Sequence, residues 1–236
     1  FCDFDGTLAD IAPRPDQVRL STSTHRTIEN LAGALGGAFA IVTGRDIPTV
    51  DDMLAPLKLP IAGVHGLMRR DASGVMHGGP PVNGDLAWVS ARIEAFATGK
   101  PALLVEHKLG GISLHYRAAP ELESACVQAV EAAIIDTPSL VIRRGKMIVE
   151  VAHNGVHKGA AIEAFMAEPP FAGRKPVFAG DDLTDEDGFA MVNRIGGVSI
   201  KIGNEPTCAT YRSQTTAEFH SWLADTAEQI SRRPAS

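Results

Sequence analysis

Asp3-Phe4-Asp5-Gly6-Thr7-Leu8 is the stretch on which the reading of this chain turns. Two carboxylates two residues apart, then a glycine and a hydroxyl residue, read as the end of a strand breaking into a loop. Side chains at i and i+2 of a strand share a face, so Asp3 and Asp5 can converge on one point beyond it. Like charges held so close are unfavourable unless a cation lies between them. Hard oxygen ligands with room for a phosphate suggest Mg²⁺. Gly6 lets the backbone turn sharply and present N–H groups to an anion. An Asx-turn with a glycine at a loop start has the same local appearance, so the segments downstream decide.

Working outward, Ser23 or Thr24 can cap a helix whose apolar residues Ile28, Leu31, Ala32 and Leu35 follow i, i+3, i+4, i+7 spacing. Gly36-Gly37 ends it, and Ala38-Phe39-Ala40-Ile41-Val42 is a continuous apolar run, as in a strand buried on both faces. Asp46 opens another helix and Pro60–Val64 reads as the next strand. This alternation predicts a doubly wound α/β layer, whose site lies beyond the carboxyl ends of its strands. A central strand is expected to begin several apolar residues before Asp3, so further residues are expected upstream of Phe1.

The pattern changes near Leu67. A loop cluster, Gly78-Gly79-Pro80-Pro81, precedes a helix with Leu86, Val89, Ile93 and Phe96 on one face. Strands over 102–108 and 111–117, a helix over 122–135, and strands over 140–144 and 147–151 follow. Helix-strand-strand, repeated once, predicts a small antiparallel sheet with helices on one side. The alternating pattern resumes with a helix from about Gly159, a strand at Val177-Phe178-Ala179, a helix near 185–192, a strand over 198–202 and a last helix around 219–230. The chain therefore divides into a discontinuous core, 1–69 and 153–236, and an inserted α/β domain, 70–152.

Composition bounds the function. The 236 residues are 44% hydrophobic and 21% charged, ordinary for a globular protein. A net charge of −6 argues against a nucleic-acid partner, which needs a basic surface. No apolar run reaches transmembrane length, so no membrane partner is expected. Cys2, Cys126 and Cys208 are few and widely spaced, which fits buried thiols in a reducing compartment. A cytoplasmic monomer is expected.

Four pieces fall in order at strand or helix ends: Asp3-x-Asp5-Gly6-Thr7, Thr43-Gly44-Arg45, Lys158, and Gly180-Asp181-Asp182-Leu183-Thr184-Asp185. Each has a use in phosphoryl transfer. Asp3 can attack phosphorus as a covalent nucleophile. Asp5 can protonate the departing oxygen and later deprotonate water. Thr43 can donate to a phosphoryl oxygen, Lys158 can neutralise charge, and Gly6, Thr7, Gly44 and Arg45 surround the same point. Asp3, Asp5, Asp181 and Asp185 offer an oxygen shell for Mg²⁺. Singly each piece has an ordinary explanation, such as a solvated lysine or an acidic helix start. All four in order at element ends do not.

With these motifs the chain resembles the haloacid dehalogenase superfamily of phosphohydrolases over its whole length, with the insert in the position of a C2-type cap. More narrowly it resembles the trehalose-6-phosphate phosphatase family. The residues that carry this are Asp3–Leu8, Gly63-Val64-His65-Gly66, Glu106-His107-Lys108, His115-Tyr116-Arg117, Gly145-Lys146-x-x-x-Glu150 and Gly180–Glu186. Thr43 departs slightly, since relatives often carry serine there. The resemblance implies Mg²⁺-dependent hydrolysis of trehalose 6-phosphate through an aspartyl-phosphate. It also implies that Glu106, Lys108, Arg117, Lys146 and Glu150 bind the sugar, and that the insert closes over the core through connections near His65-Gly66-Leu67 and His153-Asn154-Gly155. A phosphatase for another sugar phosphate (sucrose- or mannosylglycerate-phosphate type), a phosphomutase and a catalytically silent sensor are the rival readings.

The insert can also be read from its strands. Glu106 and Lys108 share a face; Ser113, His115 and Arg117 share a face opposite Ile112, Leu114 and Tyr116; Lys146 and Glu150 share a face. A sheet covered by helices on one side and charged on the other can offer a sugar donors and acceptors. A solvated antiparallel face has the same pattern.

Overall fold

Capped helices alternate with short apolar strands through the first part of the chain. In the computed structural model, which describes residues 1–12, 14–79, 84–145 and 147–232, Ser21 accepts the Thr24 amide at 3.0 Å and starts α1 (Thr22–Ala34). The cap thus stands upstream of Ser23 and Thr24, and Ile28, Leu31 and Ala32 are buried at the expected spacing. After β1 (Ile41–Val42), Asp46 caps α2 (Ile47–Leu54) through the Thr49 amide at 2.8 Å. Then come β2 (Ile61–Gly63) and a hairpin of β3 (Met68–Arg70) and β4 (Met76–Gly78). The insert supplies α3 (Asp85–Ala97), β5 (Leu104–Lys108), β6 (Gly111–His115), α4 (Glu123–Ile134), β7 (Leu140–Gly145) and β8 (Ile148–His153). The chain returns through α5 (Lys158–Met166), β9 (Val177–Gly180), α6 (Glu186–Arg194), β10 (Val198–Ile202), β11 (Tyr211–Ser213) and α7 (Thr216–Ser231).

These elements fall into two compact units, Phe1–Gly78 with His157–Ser236, and Gly79–Val156. The border differs from the sequence reading because β3 pairs antiparallel with β2, and β4 with β3. Residues 70–78 therefore extend the core sheet. Strands of three residues, such as Met68-Arg69-Arg70, carry no alternation by which sequence could reveal them. The short strand β11 escaped for the same reason.

In the first unit, β11-β10-β9 and β1-β2 run parallel, and Cys2 joins them by parallel bridges to Ala179 and Ile41. The residues before Asp3 thus lie at the centre of the sheet. Alternate strand residues serve opposite faces. Ile41, Ile61 and Ala179 pack with Ile28, Leu31, Val50, Leu54, Phe219 and Leu223 of α1, α2 and α7. Val42, Ala62 and Phe178 pack with Ile162, Phe165, Phe189 and Val192 of α5 and α6. Helices on both faces explain why these strands are uniformly apolar. Each large side chain so buried contributes about 1.5–3 kcal/mol. Asp3, Thr43, His65 and Asp181 all follow carboxyl ends of the parallel strands.

The second unit is a four-stranded antiparallel sheet ordered β5-β6-β8-β7. Ile112, Leu114, Val149 and Val151 pack against Val89 and Ile93 of α3 and Cys126 and Val130 of α4. Among the described residues no helix is long and apolar enough to cross a membrane. Cys2 and Cys126 are buried, whereas Cys208 is exposed.

Candidate active site

Asp3 is 4% exposed, Lys158 2% and Asp185 not at all, an uncommon depth for three ionisable groups. The Lys158 ammonium donates to Asp3 Oδ1 and to Asp185 Oδ1, each at 2.7 Å. His157 caps α5 through the Ala160 amide at 3.2 Å, which sets Lys158 on the first helical position facing the sheet end. Asp185 Oδ2 accepts the amides of Asp181 and Asp182, at 3.0 and 2.9 Å. Asp185 therefore holds both Lys158 and the loop after β9. Burial opposes the charge on Lys158, but Asp3 and Asp185 outweigh it and raise its pKa.

Asp181 stands against the Asp3 loop. A side-chain carbon on Gly6, whose φ is +74°, would lie 2.0 Å from Asp181 Oδ2. Glycine is thus required at position 6 both for backbone conformation and for the approach of this carboxylate. Thr7 Oγ1 donates to Asp181 Oδ1 at 3.4 Å. Burial, followed by Asp185 and Asp182, pushes Asp181 up to about 6. Burial also raises Asp3 well above the usual carboxylate range, against the pull of Lys158. One oxygen from each of Asp3, Asp181 and Asp185 lies within 4.8 Å of the others. Mutually repelling hard oxygens in this state suit a divalent cation.

Asp5 is placed differently from the sequence reading. Its carboxylate is not in that group; Arg45 holds it, Nε to Oδ2 and NH2 to Oδ1, both at 2.6 Å. Thr43 is 1% exposed and its Oγ1 accepts the Arg45 amide at 3.1 Å, which leaves its own hydrogen to donate. The loop after β2 supports this segment. His65 N donates to Thr43 O at 2.8 Å and Val64 N to Arg45 O at 2.9 Å. Val64 and His65 have φ of 51° and 57°, a conformation rare for such residues. A side chain on Gly44 would meet the His65 ring at 2.7 Å.

In the second unit Glu106, Ser113, Glu150 and Arg143 lie in one row across β5, β6, β8 and β7. Glu150 Oε2 accepts from Lys108 Nζ at 2.8 Å and Ser113 Oγ at 3.1 Å. His115 Nε2 is 2.9 Å from Glu106 Oε2. Arg117 lies in the exposed turn after β6, beyond the paired strand. Lys146 lies outside the described residues.

Two contributors, half-buried His220 and buried Lys201, went unread in the sequence. His220 of α7 donates from Nε2 to the Thr7 carbonyl at 2.8 Å, tying the last helix to the first loop. Lys201 of β10 donates to the Asp181 carbonyl. Neither sits in a motif; a lysine within the apolar run Val198–Ile202 was the only signal.

A family model described as trehalose-phosphatase matches residues 1–222. The chain is 41% identical over 223 residues to the trehalose-6-phosphate phosphatase of Escherichia coli, covering 94% of this chain and 84% of that protein. Among solved structures, the C-terminal domain of trehalose-6-phosphate phosphatase from Candida albicans aligns with a TM-score of 0.76 at 22% identity, over 96% of this chain and 90% of that one. A haloacid dehalogenase-like hydrolase from B. subtilis aligns with a TM-score of 0.64 at 13% identity, over 99% of each chain.

Proposed function

Because the chain belongs to the trehalose-phosphatase family, we propose that it hydrolyses trehalose 6-phosphate to trehalose and inorganic phosphate. Its fold is that of the haloacid dehalogenase-like hydrolases. The observation that carries the reading is the buried Lys158 ammonium shared by Asp3 and Asp185, with Asp181 alongside.

Lys158 occupies Asp3 Oδ1, so Oδ2 is the atom proposed to attack phosphorus. The P–O bond to the sugar breaks as the Asp3–phosphorus bond forms, and Asp5, having taken up a proton on one oxygen in place of an Arg45 hydrogen bond, gives it to the departing sugar oxygen. Asp5 then removes a proton from water, whose oxygen attacks the aspartyl-phosphate. Phosphate leaves and Asp3 is restored. Thr43, the Gly44 amide and the backbone around Gly6 and Thr7 are proposed to donate to phosphoryl oxygens, with Lys158 balancing their charge.

Phosphatases of this fold require a divalent metal. Asp3 and Asp181 are proposed to hold it, with Asp185 behind them, and the oxygen-only donor set favours Mg²⁺. When bound, the ion neutralises charge on the transferring phosphoryl group. The family implies a sugar-phosphate substrate. The charged row of the second unit, with Glu106, Lys108 and Glu150, is proposed to read the sugar, joined by Arg117 and Lys146. We also propose a cytoplasmic location, in keeping with three free thiols, and a monomeric state.

The test is phosphate release from trehalose 6-phosphate with Mg²⁺ and with EDTA, beside a panel of other sugar phosphates. Release that needs Mg²⁺, with the highest kcat/KM on trehalose 6-phosphate, is expected. No release, or a better substrate within the panel, overturns the assignment.

A further inference from the structure

Lys201 is 2% exposed on β10, directly opposite Gly180 of β9 in the parallel ladder. Its ammonium donates to the Asp181 carbonyl. The carboxylate near it, Glu205 Oε2 at 3.9 Å, belongs to a side chain that is 71% exposed. A buried ammonium is costly unless compensated, and here the Asp181 carbonyl is its direct partner, with the carboxylates of Glu205 and Glu186 in electrostatic reach. The Asp181 carboxylate, half-buried, meets the buried carboxylates of Asp3 and Asp185, and the three repel one another and draw on Lys158 for relief.

Asp181 is held from both of its peptide groups. Its amide donates to Asp185 Oδ2 at 3.0 Å, and its carbonyl accepts from Lys201. With both neighbouring peptide planes fixed, the Cα–Cβ direction is set, and the carboxylate enters the space left by the missing side chain of Gly6. Thr7 meets it there at 3.4 Å.

We propose that Lys201 is a positioning residue for the divalent cation: by gripping the Asp181 carbonyl it aims the Asp181 carboxylate at Asp3. This rests on the metal site proposed above. Partners behind a metal ligand typically govern about 10–100-fold of metal affinity.

The experiment is Mg²⁺ titration of the full chain by calorimetry and by thermal shift, so that no substrate is needed. Lys201→Met, which keeps the bulk and removes charge and donor, is expected to weaken Mg²⁺ binding about tenfold or more. Lys201→Arg, which keeps both, is expected to stay within about threefold of the parent protein. Raising Mg²⁺ recovers most of the hydrolysis lost by Lys201→Met, because the residue acts through the ion. An unchanged Mg²⁺ midpoint in folded Lys201→Met overturns the proposal, since a purely structural lysine lowers stability without moving that midpoint. Should Lys201→Met not fold, Lys201→Gln, which keeps a donor, is expected to show an intermediate shift, and no shift there is equally decisive. A parent protein that binds no Mg²⁺ overturns both this role and the metal site. One that binds Mg²⁺ with the expected variant shifts, yet hydrolyses no sugar phosphate, upholds Lys201 and overturns only the proposed function.

Discussion

Arg45 holds both carboxylate oxygens of Asp5 in a two-pronged ion pair, 2.6 Å on each side. The planar fork fixes the plane of the carboxylate as a single-point ammonium could not. Asp5 is thereby oriented apart from the Asp3, Asp181 and Asp185 group, as suits a residue that serves the leaving oxygen. Arg45→Lys should therefore lower kcat on a sugar phosphate by about 10–100-fold, part of the range for general acid catalysis. An aryl phosphate departs with little need of a proton, so its loss should be about tenfold smaller. Equal losses on the two esters would assign Arg45 to the phosphoryl group instead.

Lys158 joins two carboxylates at 2.7 Å, all three groups almost wholly buried. Removing the ammonium leaves both charges buried together, a loss of about 3–5 kcal/mol. Lys158→Met is expected to cost that much in denaturant unfolding and to abolish hydrolysis. Adding Asp185→Asn should return part of the stability, because one buried charge is gone, without returning activity. A single variant as stable as the parent protein would contradict the burial argument.

Much of this site was legible because its residues stand at ends of apolar runs. Asp3, Thr43 and Asp181 each follow a strand too apolar to be exposed, and Lys158 opens a helix, so residue type and topology together place them on one edge. What stayed hidden depends on contacts between distant segments. The Arg45–Asp5 pair spans 40 residues, and nothing local distinguishes it from two separate ligands of a phosphate and a metal. Gly6 reads as a turn glycine, whereas its fit against the Asp181 carboxylate needs the fold. An insert starting at residue 70 cuts the hairpin of β3 and β4, because these strands are short and polar; Arg70 is fixed by Asp51 of α2, not by an apolar stripe.

That Asp51–Arg70 pair gives a pH-dependent prediction. Asp51 accepts from Arg70 at 2.6 and 2.7 Å and from Lys58 at 2.7 Å. The Arg70 hydrogen bonds, against some burial and with help from Lys58, hold the Asp51 pKa below its ordinary value. A depressed folded pKa contributes stability above the unfolded pKa of about 3.9, lost as pH falls through the lower folded value. Asp51→Asn should cost about 1–3 kcal/mol at pH 7. Urea unfolding of both proteins from pH 7 down to about 3 should show the gap narrowing only below about pH 4. A gap constant throughout would mean that the charge on Asp51 is not what Arg70 uses.

The last prediction concerns Glu150, where the second unit gathers its charges. One of its oxygens already takes Lys108 at 2.8 Å and Ser113 at 3.1 Å, and Arg143 lies across from it on β7. Such a carboxylate is held still by its neighbours, so it can present a fixed acceptor to a sugar hydroxyl with little further loss of freedom. Glu150→Gln keeps the shape but removes the charge that orders Lys108. A hydrogen bond to a charged group is worth about 1.5–3 kcal/mol, which corresponds to roughly 10–150-fold in kcat/KM. Trehalose 6-phosphate hydrolysis should fall by that amount, while a small aryl phosphate, which has no sugar to bind, should fall far less. Thr43→Ala should lower both substrates together, because its hydroxyl serves the phosphoryl group. If Glu150→Gln, folded as judged by circular dichroism, lowered both substrates equally, the charged row would not be the element that selects the sugar.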